Sequence, residues 1–458
     1  MKNFDVIVVG AGTAGSMTAK TAANAGLSVC LLDSKARPDI GEKVCGDAVG
    51  KHHFDRLGLP YPKGEELGTR IEGIRIYSPD MQTTFTVKSE TYGFIVNRRH
   101  FGQRLLDDAI DAGATLMDST IATKPETRKG FVTGVTAKDT KKHSAMQLQA
   151  KVVVDASGFT AILRKCLPTE IEVDLQVDND DVEACYREIR RLGSDSDGFD
   201  QKYCEIYLDQ TQTPGGYHWI FPEGENRINA GLGVAMVKGF PNPKNQFYEQ
   251  IMPHSKIKDS TLVKGGSWCV PTRRPLDCMT GNGIVLVGDS ACQVNPIHGG
   301  GIGPSMMGGS LAGKTIINAI EEDDVSRDGL WQYNVDYMKG YGAKQAGLDI
   351  FRLFLLKSVG NEEINYGMKY KLITEDDLLK VSEGQNLKLR ISDKTRRAFY
   401  GLGKVPMLRR LAYAASMLKK IKAHYLEYPS SPDGFEQWRK QTHILMDEAK
   451  LRLSRSKT

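Results

Sequence analysis

Two kinds of apolar pattern alternate over the first thirty residues. Val6 to Val9 is an uninterrupted apolar run, the pattern of a strand buried on both faces. Met17 to Ala25 follows as a small-residue helical stretch, and Gly26 closes it as a C-cap would. Leu27 to Leu32 is a second buried strand that stops at Asp33. This order predicts a β-α-β unit and a parallel sheet. From about Lys63 to Lys264 the pattern changes to strand-like alternation between turn signals, as in Gly73–Tyr77 and Arg227–Leu232. Val152–Asp155 and Ile284–Asp289 restore the buried-strand pattern, each ending in an Asp, and are expected to rejoin the first sheet. Beyond Gly308 the strand signals vanish and helical periodicity runs to the C-terminus. The chain is therefore read as an α/β protein of three interleaved regions: 1–62 with 97–165 and 275–320; a β-rich region of 63–96 with 166–274; and a helical region over 321–458.

Composition narrows the class. With 458 residues, 40% hydrophobic and 26% charged, the chain is an ordinary folded protein. No stretch approaches the roughly 20 apolar residues that span a bilayer. Asp5 stands where a signal peptide would carry positive charge, so a cytosolic protein is expected. Eight cysteines without a C-x-x-C pair exclude a disulfide scaffold and a paired-cysteine zinc site, and no metal is expected.

Gly10, Gly12 and Gly15 form G-x-G-x-x-G after a strand and at the opening of a helix, and Asp33 follows 23 residues after the first glycine. The first glycine permits the tight turn, the second lets the backbone approach a pyrophosphate, and the third packs helix on strand. The helix N-terminus adds partial positive charge. Asp33 would accept the adenosine ribose hydroxyls, and an acid there disfavours a 2′-phosphate. A dinucleotide is expected, with no second fingerprint elsewhere in the chain.

These segments resemble the flavoprotein family of p-hydroxybenzoate hydroxylase. The resemblance implies a Rossmann-type FAD-binding domain, a β-rich catalytic domain and FAD as cofactor. It makes Val154–Gly158, with Asp155, the second nucleotide motif, and it makes Gly288–Ala291, with Asp289, the ribityl site. Gly300, Gly301 and Ile302, within Pro296–Gly303, would approach the flavin ring. Within that family Gly41–Asp47 and Pro214–Pro222 are similar to the geranylgeranyl reductase branch, as is Val96–Phe101, which places Arg98 against the flavin. Ala14, Cys45, Gly46, Ala48 and Ala122 complete the implied cofactor contacts. The resemblance covers residues 1–320 well and the tail weakly. Asn295 stands where relatives more often carry Asp, and His298 fills a variable slot.

The branch implies a reductase that saturates geranylgeranyl chains, as in archaeal ether lipids. On a strand, Tyr217, Trp219 and Phe221 point to one face, which suits an isoprenoid substrate; plain core aromatics are the competing reading. An isolated alkene needs a proton as well as a hydride, and Cys45, Tyr217, His298 or a held water are the candidate donors. Cys45 and Tyr217 are the catalytic candidates. Residues 394–422 hold nine basic residues and no acid, with Leu408, Leu411, Ala415, Leu418 and Ile421 at helical spacing. This stretch suits either peripheral contact with anionic lipid or an ordinary bundle helix; nucleic acid is not expected. Ile350–Leu356 is read as a lipid tunnel wall or helical core. The electron donor is open between NAD(P)H and a ferredoxin-like carrier. An aromatic monooxygenase of the same fold is the alternative activity, and a non-catalytic FAD-bound membrane factor is a third reading.

Overall fold

The computed structural model describes residues 2–193, 199–224, 226–382 and 404–454. Its strands fall into two eight-stranded sheets. The first is built from β1 (Lys2–Val9), β2 (Val29–Leu32), β6 (Thr115–Met117), β7 (Thr120–Arg128), β8 (Phe131–Asp139), β9 (Ser144–Asp155), β15 (Thr280–Gly281) and β16 (Ile284–Leu286). The second holds β3 (Ala48–Gly50), β4 (Leu67–Tyr77), β5 (Thr84–Val96), β10 (Glu183–Arg191), β11 (Tyr203–Tyr207), β12 (His218–Gly224), β13 (Arg227–Ala235) and β14 (Thr261–Val270).

In the first sheet β1 lies parallel between β2 and β9, and β9 pairs parallel with β16. Both expected returns to this sheet are therefore present. Val6–Val8, Val29–Leu32, Val152–Val154 and Ile284–Leu286 are buried, as a parallel sheet covered on both faces requires. Helix α1 (Thr13–Asn24) packs on α5 (Ile302–Glu321) through small residues. A Cβ at Gly309 would lie 2.3 Å from the Ala14 carbonyl oxygen, and one at Gly313 would lie 2.6 Å from Thr21 Cβ. Thr18 Oγ1 donates to the Gly309 carbonyl at 3.1 Å across that contact. The small-residue pattern of the first helix is thus the imprint of a close helix crossing.

Two expected boundaries shift. Ala48–Gly50 was placed with the nucleotide region, yet it pairs antiparallel with β5, Ala48 opposite Ile95, and forms an edge of the second sheet. The helical tail is not a separate core. Trp331, Ile350, Tyr425, Trp438 and Leu453 belong to the same buried cluster as Val6 and Leu286. Polar ties reinforce the union. Asp277 accepts from Arg274 and from His443 Nε2 at 2.9 Å, and Arg439 reaches Asp174 at 2.8 Å.

The basic segment of the tail forms α10 (Val405–Leu426) from Lys404 onward, while Lys394, Arg396 and Arg397 lie outside the described residues. Its apolar side turns inward. Leu418 and Ile421 are buried, and Leu418 packs against Gly347 of α7 (Ala343–Ser358). Leu408 and Leu411 pack at the edge of the core. Ile350, Leu353 and Phe354 are buried core, which decides the second open reading of the tail. No described helix is long and apolar enough to cross a membrane.

Candidate active site

A connected cavity of about 1490 Å³ runs between the two sheets and under the helical region. One lobe lies at the fingerprint. Gly10 takes φ +106°, and a Cβ there would lie 2.3 Å from the Ala156 carbonyl oxygen; one at Gly15 would lie 1.8 Å from the Gly10 oxygen. Beside Gly12 there is nothing within 4 Å. The three glycines therefore do what their spacing predicts: two hold the turn shut and one leaves room for a ligand. Asp33 accepts from the Ala11 amide at 2.9 Å and also lines the cavity.

Ala14, Cys45, Gly46, Ala48, Arg98, Ala122, Asp289, Gly300, Gly301 and Ile302 all line this cavity. Arg98 opens helix α3 (Arg98–Asp111), whose N-cap Asn97 accepts from the Arg99 and His100 amides. Its guanidinium touches Thr13 Oγ1 at 3.3 Å, and its Nε is buried without a partner. Asp289 is held by Lys43 Nζ at 2.7 Å, a partner that sequence reasoning missed. Asp155 stands apart from these residues. It does not line the cavity; its buried carboxylate accepts from the Ser157 amide and hydroxyl and from the Leu163 and Arg164 amides. It shapes the turn that presents Ala156 and Ser157 to the cavity, so its effect on a ligand is indirect.

The second lobe is apolar. Tyr217, Trp219 and Phe221 form a ladder with ring centroids 5.9 and 6.1 Å apart. Ile71, Ile74, Ile76, Val87, Cys204 and Ile206 stand around it. A Cβ at Gly46 would lie 3.0 Å from the Phe221 ring, so the ladder abuts the Cys45–Gly46 loop. Trp219 and Phe221 are 6% and 7% exposed. They are at once core aromatics and cavity wall, so the two readings of the motif merge.

The candidate proton donors separate by environment. Burial, with Asp47 second, pushes the Cys45 thiol up, so it stays protonated at neutral pH. Burial, then the nearby Glu183, raises the Tyr217 phenol well above its ordinary range, and its hydroxyl donates to the His298 carbonyl at 2.8 Å. Desolvation within the cavity, then Lys344, lowers His298 to about 4. Its Nδ1 accepts from the Gly300 amide at 3.1 Å, which leaves a neutral ring. Asn295 accepts from the Ile297 and His298 amides and so folds the glycine loop without a carboxylate.

Two buried acids in the cavity lining went unnoticed in the sequence. Asp47 is 3% exposed, and burial, opposed by Arg187 and Arg98, raises it to about 6. Glu183 is raised by burial to about 7, against the pull of Arg352. The Asp47 partners Arg187 and Asn229 sit, with Glu183, on β10 and β13, where alternating polar residues read as a solvent face. In the fold that face turns to the cavity.

A third lobe, where α2 (Lys51–Leu57), the π-helical segment Met338–Gly342, α7 and α10 meet, is lined by His52, Arg56, Lys339, Lys344 and Lys422. Arg56 lies 3.4 Å from a Cβ at Gly340.

Residues 181–267 match the geranylgeranyl reductase catalytic domain, and residues 5–182 match the lycopene cyclase protein family over the fingerprint and strands β1 to β9. The digeranylgeranylglycerophospholipid reductase of Sulfolobus acidocaldarius is 44% identical, over 98% of this chain and 99% of its own length. The chain belongs to the digeranylgeranylglycerophospholipid reductase family. The enzyme of that name from Methanothrix thermoacetophila is 33% identical, over 77% of this chain and 87% of its own. In fold, the chain matches a geranylgeranyl bacteriochlorophyll reductase-like protein from Thermoplasma acidophilum, with a TM-score of 0.76 at 23% identity. That match covers 90% of this chain and 100% of the other. The digeranylgeranylglycerophospholipid reductase family places the chain among FAD-dependent oxidoreductases. The first lobe fits that cofactor: open space at Gly12, the unpartnered Arg98 Nε, and a loop held at Gly300 and Gly301 before a helix N-terminus.

Proposed function

We propose that this reductase saturates the C=C bonds of geranylgeranyl chains carried on an archaeal-type glycerophospholipid. The observation that carries the reading is the Tyr217–Trp219–Phe221 ladder set against the Cys45–Gly46 loop. An isoprenoid offers apolar surface and no hydrogen-bonding group, and this wall matches it. When bound and reduced, FAD supplies the hydride.

The chain's own residues do the rest. Gly10, Gly12, Gly15, Asp33, Arg98, Ala122 and Asp289 hold the cofactor, and Gly300, Gly301 and Ile302 bring backbone close to its ring. Trp219 and Phe221 exclude water and align the chain. Cys45, protonated and beside the loop, delivers the proton to the carbon that does not receive hydride. Tyr217, already donating to His298, orients the glycine loop. The five basic and histidine side chains of the third lobe receive the phosphate end of the lipid.

Lys422 and Leu426 line this lobe at the end of α10, whose Arg409, Lys419 and Lys420 are exposed. Peripheral contact with anionic membrane is therefore electrostatic, since the helix's apolar face is already spent inside. Electrons reach the flavin from NAD(P)H or a ferredoxin-like carrier at the surface. The monooxygenase alternative shares the fold but has no use for the aromatic ladder as a prenyl wall.

The test is anaerobic. Dithionite-reduced protein is mixed with digeranylgeranylglycerol phosphate, and mass spectrometry follows the products. A gain of two mass units per double bond with matching flavin oxidation is expected. Flavin oxidation only after air is admitted would overturn the reading.

A further inference from the structure

Asp47 carries more structure than an incidental loop residue needs. It occupies the left-handed region at φ +63°, two residues after Cys45. This turn folds the chain back on itself. The Asp47 amide donates to Cys45 Sγ at 3.3 Å, and the Cys45 carbonyl and the Asp47 carboxyl share the Asn229 side-chain amide as donor. One carboxyl oxygen, Oδ2, accepts from Asn229 Nδ2 at 2.9 Å and lies 3.7 Å from the Arg187 guanidinium. The other, Oδ1, is buried with no partner.

The same frame holds Cys45. Its carbonyl accepts from Arg187 Nε at 3.1 Å and Asn229 Nδ2 at 2.8 Å. Asn229 Oδ1 in turn accepts from Trp219 Nε1 at 3.0 Å. The aromatic wall, the thiol and the carboxyl are thus fixed by one network. A carboxylate would not leave an oxygen unpaired in such a place without cost, whereas a carboxylic acid with a proton on Oδ1 is the cheaper occupant.

We propose that Asp47 returns the proton to Cys45 after each reduction, so that the two side chains form a proton-delivering pair beside the flavin site. The inference rests on the reductase reading above. The step balances as follows. The Sγ–H bond of Cys45 breaks and its proton goes to one alkene carbon, while the hydride from reduced flavin goes to the other. The Asp47 O–H bond then breaks and restores the thiol, and the carboxylate recovers a proton from solvent. The groups around the carboxyl are Arg187 from β10, Arg98 from α3, Lys264 from β14 and Glu223 from β12. Burial, then the Asp47 charge, raises Glu223 to about 8, and its Oε2 is likewise buried without a partner. Asp47 is a positioning and relay residue; Cys45 is the group that meets substrate.

Asp47→Asn is the informative variant, because Asn also accepts a left-handed φ and keeps an acceptor oxygen, but carries no exchangeable acid proton. The first readout needs no turnover. Iodoacetamide labelling of the full-length protein is followed by peptide mass spectrometry at Cys45, with Cys185 and Cys204 as internal controls. Above about pH 6 the ionised Asp47 holds the thiol pKa up, so D47N should label Cys45 faster at pH 8, by about tenfold for each unit the thiol falls, with both controls unmoved. In the wild type the labelling profile itself should inflect near the Asp47 pKa, which needs no variant at all. Equal Cys45 rates, or acceleration of all three cysteines, would overturn the pair.

The second readout is single-turnover oxidation of the reduced holoenzyme by the prenyl lipid. The wild-type rate should fall as pH rises through about 6. D47N should be slower by about 10²-fold, lose that limb and keep its substrate affinity. A wild-type rate and pH profile in D47N would overturn the relay. A wild type that reduces no prenyl chain would instead defeat the reductase reading, while the labelling result still judges the pair.

Discussion

At the level of single residues, the positions easiest to foresee were those where a side chain is forbidden. Gly15 carries a clear prediction: its Cβ would lie 1.8 Å from backbone. Gly15→Ala should lose FAD more than tenfold in cofactor-to-protein ratio, and much soluble protein besides, as read by flavin absorbance after purification. Trp219→Ala makes the opposite claim. FAD content should stay, while kcat/KM for the prenyl lipid falls by about 10²-fold, because removing a large buried apolar side chain forfeits about 1.5–3 kcal/mol of contact with the chain. Retained kcat/KM would leave the ladder a mere core element. Glu183, Arg187 and Asn229 escaped notice for a physical reason. On β10 and β13 they alternate with apolar neighbours, and a strand facing a buried cavity shows the same period as one facing water. Only the second layer of structure distinguishes the two.

Elements were legible where a strand is buried on both faces. Val6–Val9, Val29–Leu32 within the expected Leu27–Leu32, Val152–Val154 and Ile284–Leu286 declared themselves, and the register places Val9 opposite Asp155 and Leu32. Ala48–Gly50 did not, because three residues with a glycine carry no period, and their membership of the second sheet depends on the distant partner β5. The motif at Asp155 is legible in the sequence, whereas the local donors that its carboxylate collects are not. A carboxylate that four local donors saturate organises a turn rather than a ligand. Asp155→Ala should therefore destabilise the protein by at least about 3 kcal/mol, since several buried donors lose their acceptor together. A urea midpoint unchanged from wild type would contradict this. For the helical segments the hydrophobic spacing in α10 was seen correctly, but spacing alone cannot say whether an apolar face meets lipid or a neighbouring helix. Here Gly347 admits Leu418, and the neighbouring helix takes it.

For the whole molecule, charge burial sets a pH signature. Asp47, Glu183 and Glu223 have folded pKa values raised to about 6, 7 and 8. Between the ordinary carboxyl value of about 4 and these values, the folded state binds more protons than the unfolded chain, so stability falls as pH rises. Asp277 is shifted the other way: burial alone would raise it, but Arg274 and His443 hold it down. Its contribution is present above the ordinary carboxyl value and is lost as pH falls below about 4. Thermal midpoints measured from about pH 3 to about pH 9 should peak on the acid side of neutrality, and Glu183→Gln should flatten the alkaline decline. The shared core gives a further expectation. Removing residues 405–458 strips Tyr428 and Phe435 from Trp331 and Leu418 from Gly347, so the remainder should be insoluble rather than a smaller flavoprotein.

One contact has a bearing on what the enzyme releases. The Tyr217 hydroxyl grips the His298 carbonyl of the glycine loop, joining two cavity walls across the gap that the proposed function gives to the prenyl chain. A chain with several double bonds has to advance through that gap, or leave and return, between successive reductions. The grip is therefore a timer on dwell. Loosening it in Tyr217→Phe, at the cost of about 1 kcal/mol of hydrogen bond, should change the product ladder more than the overall rate, with half-saturated chains escaping into the medium and appearing as intermediate masses.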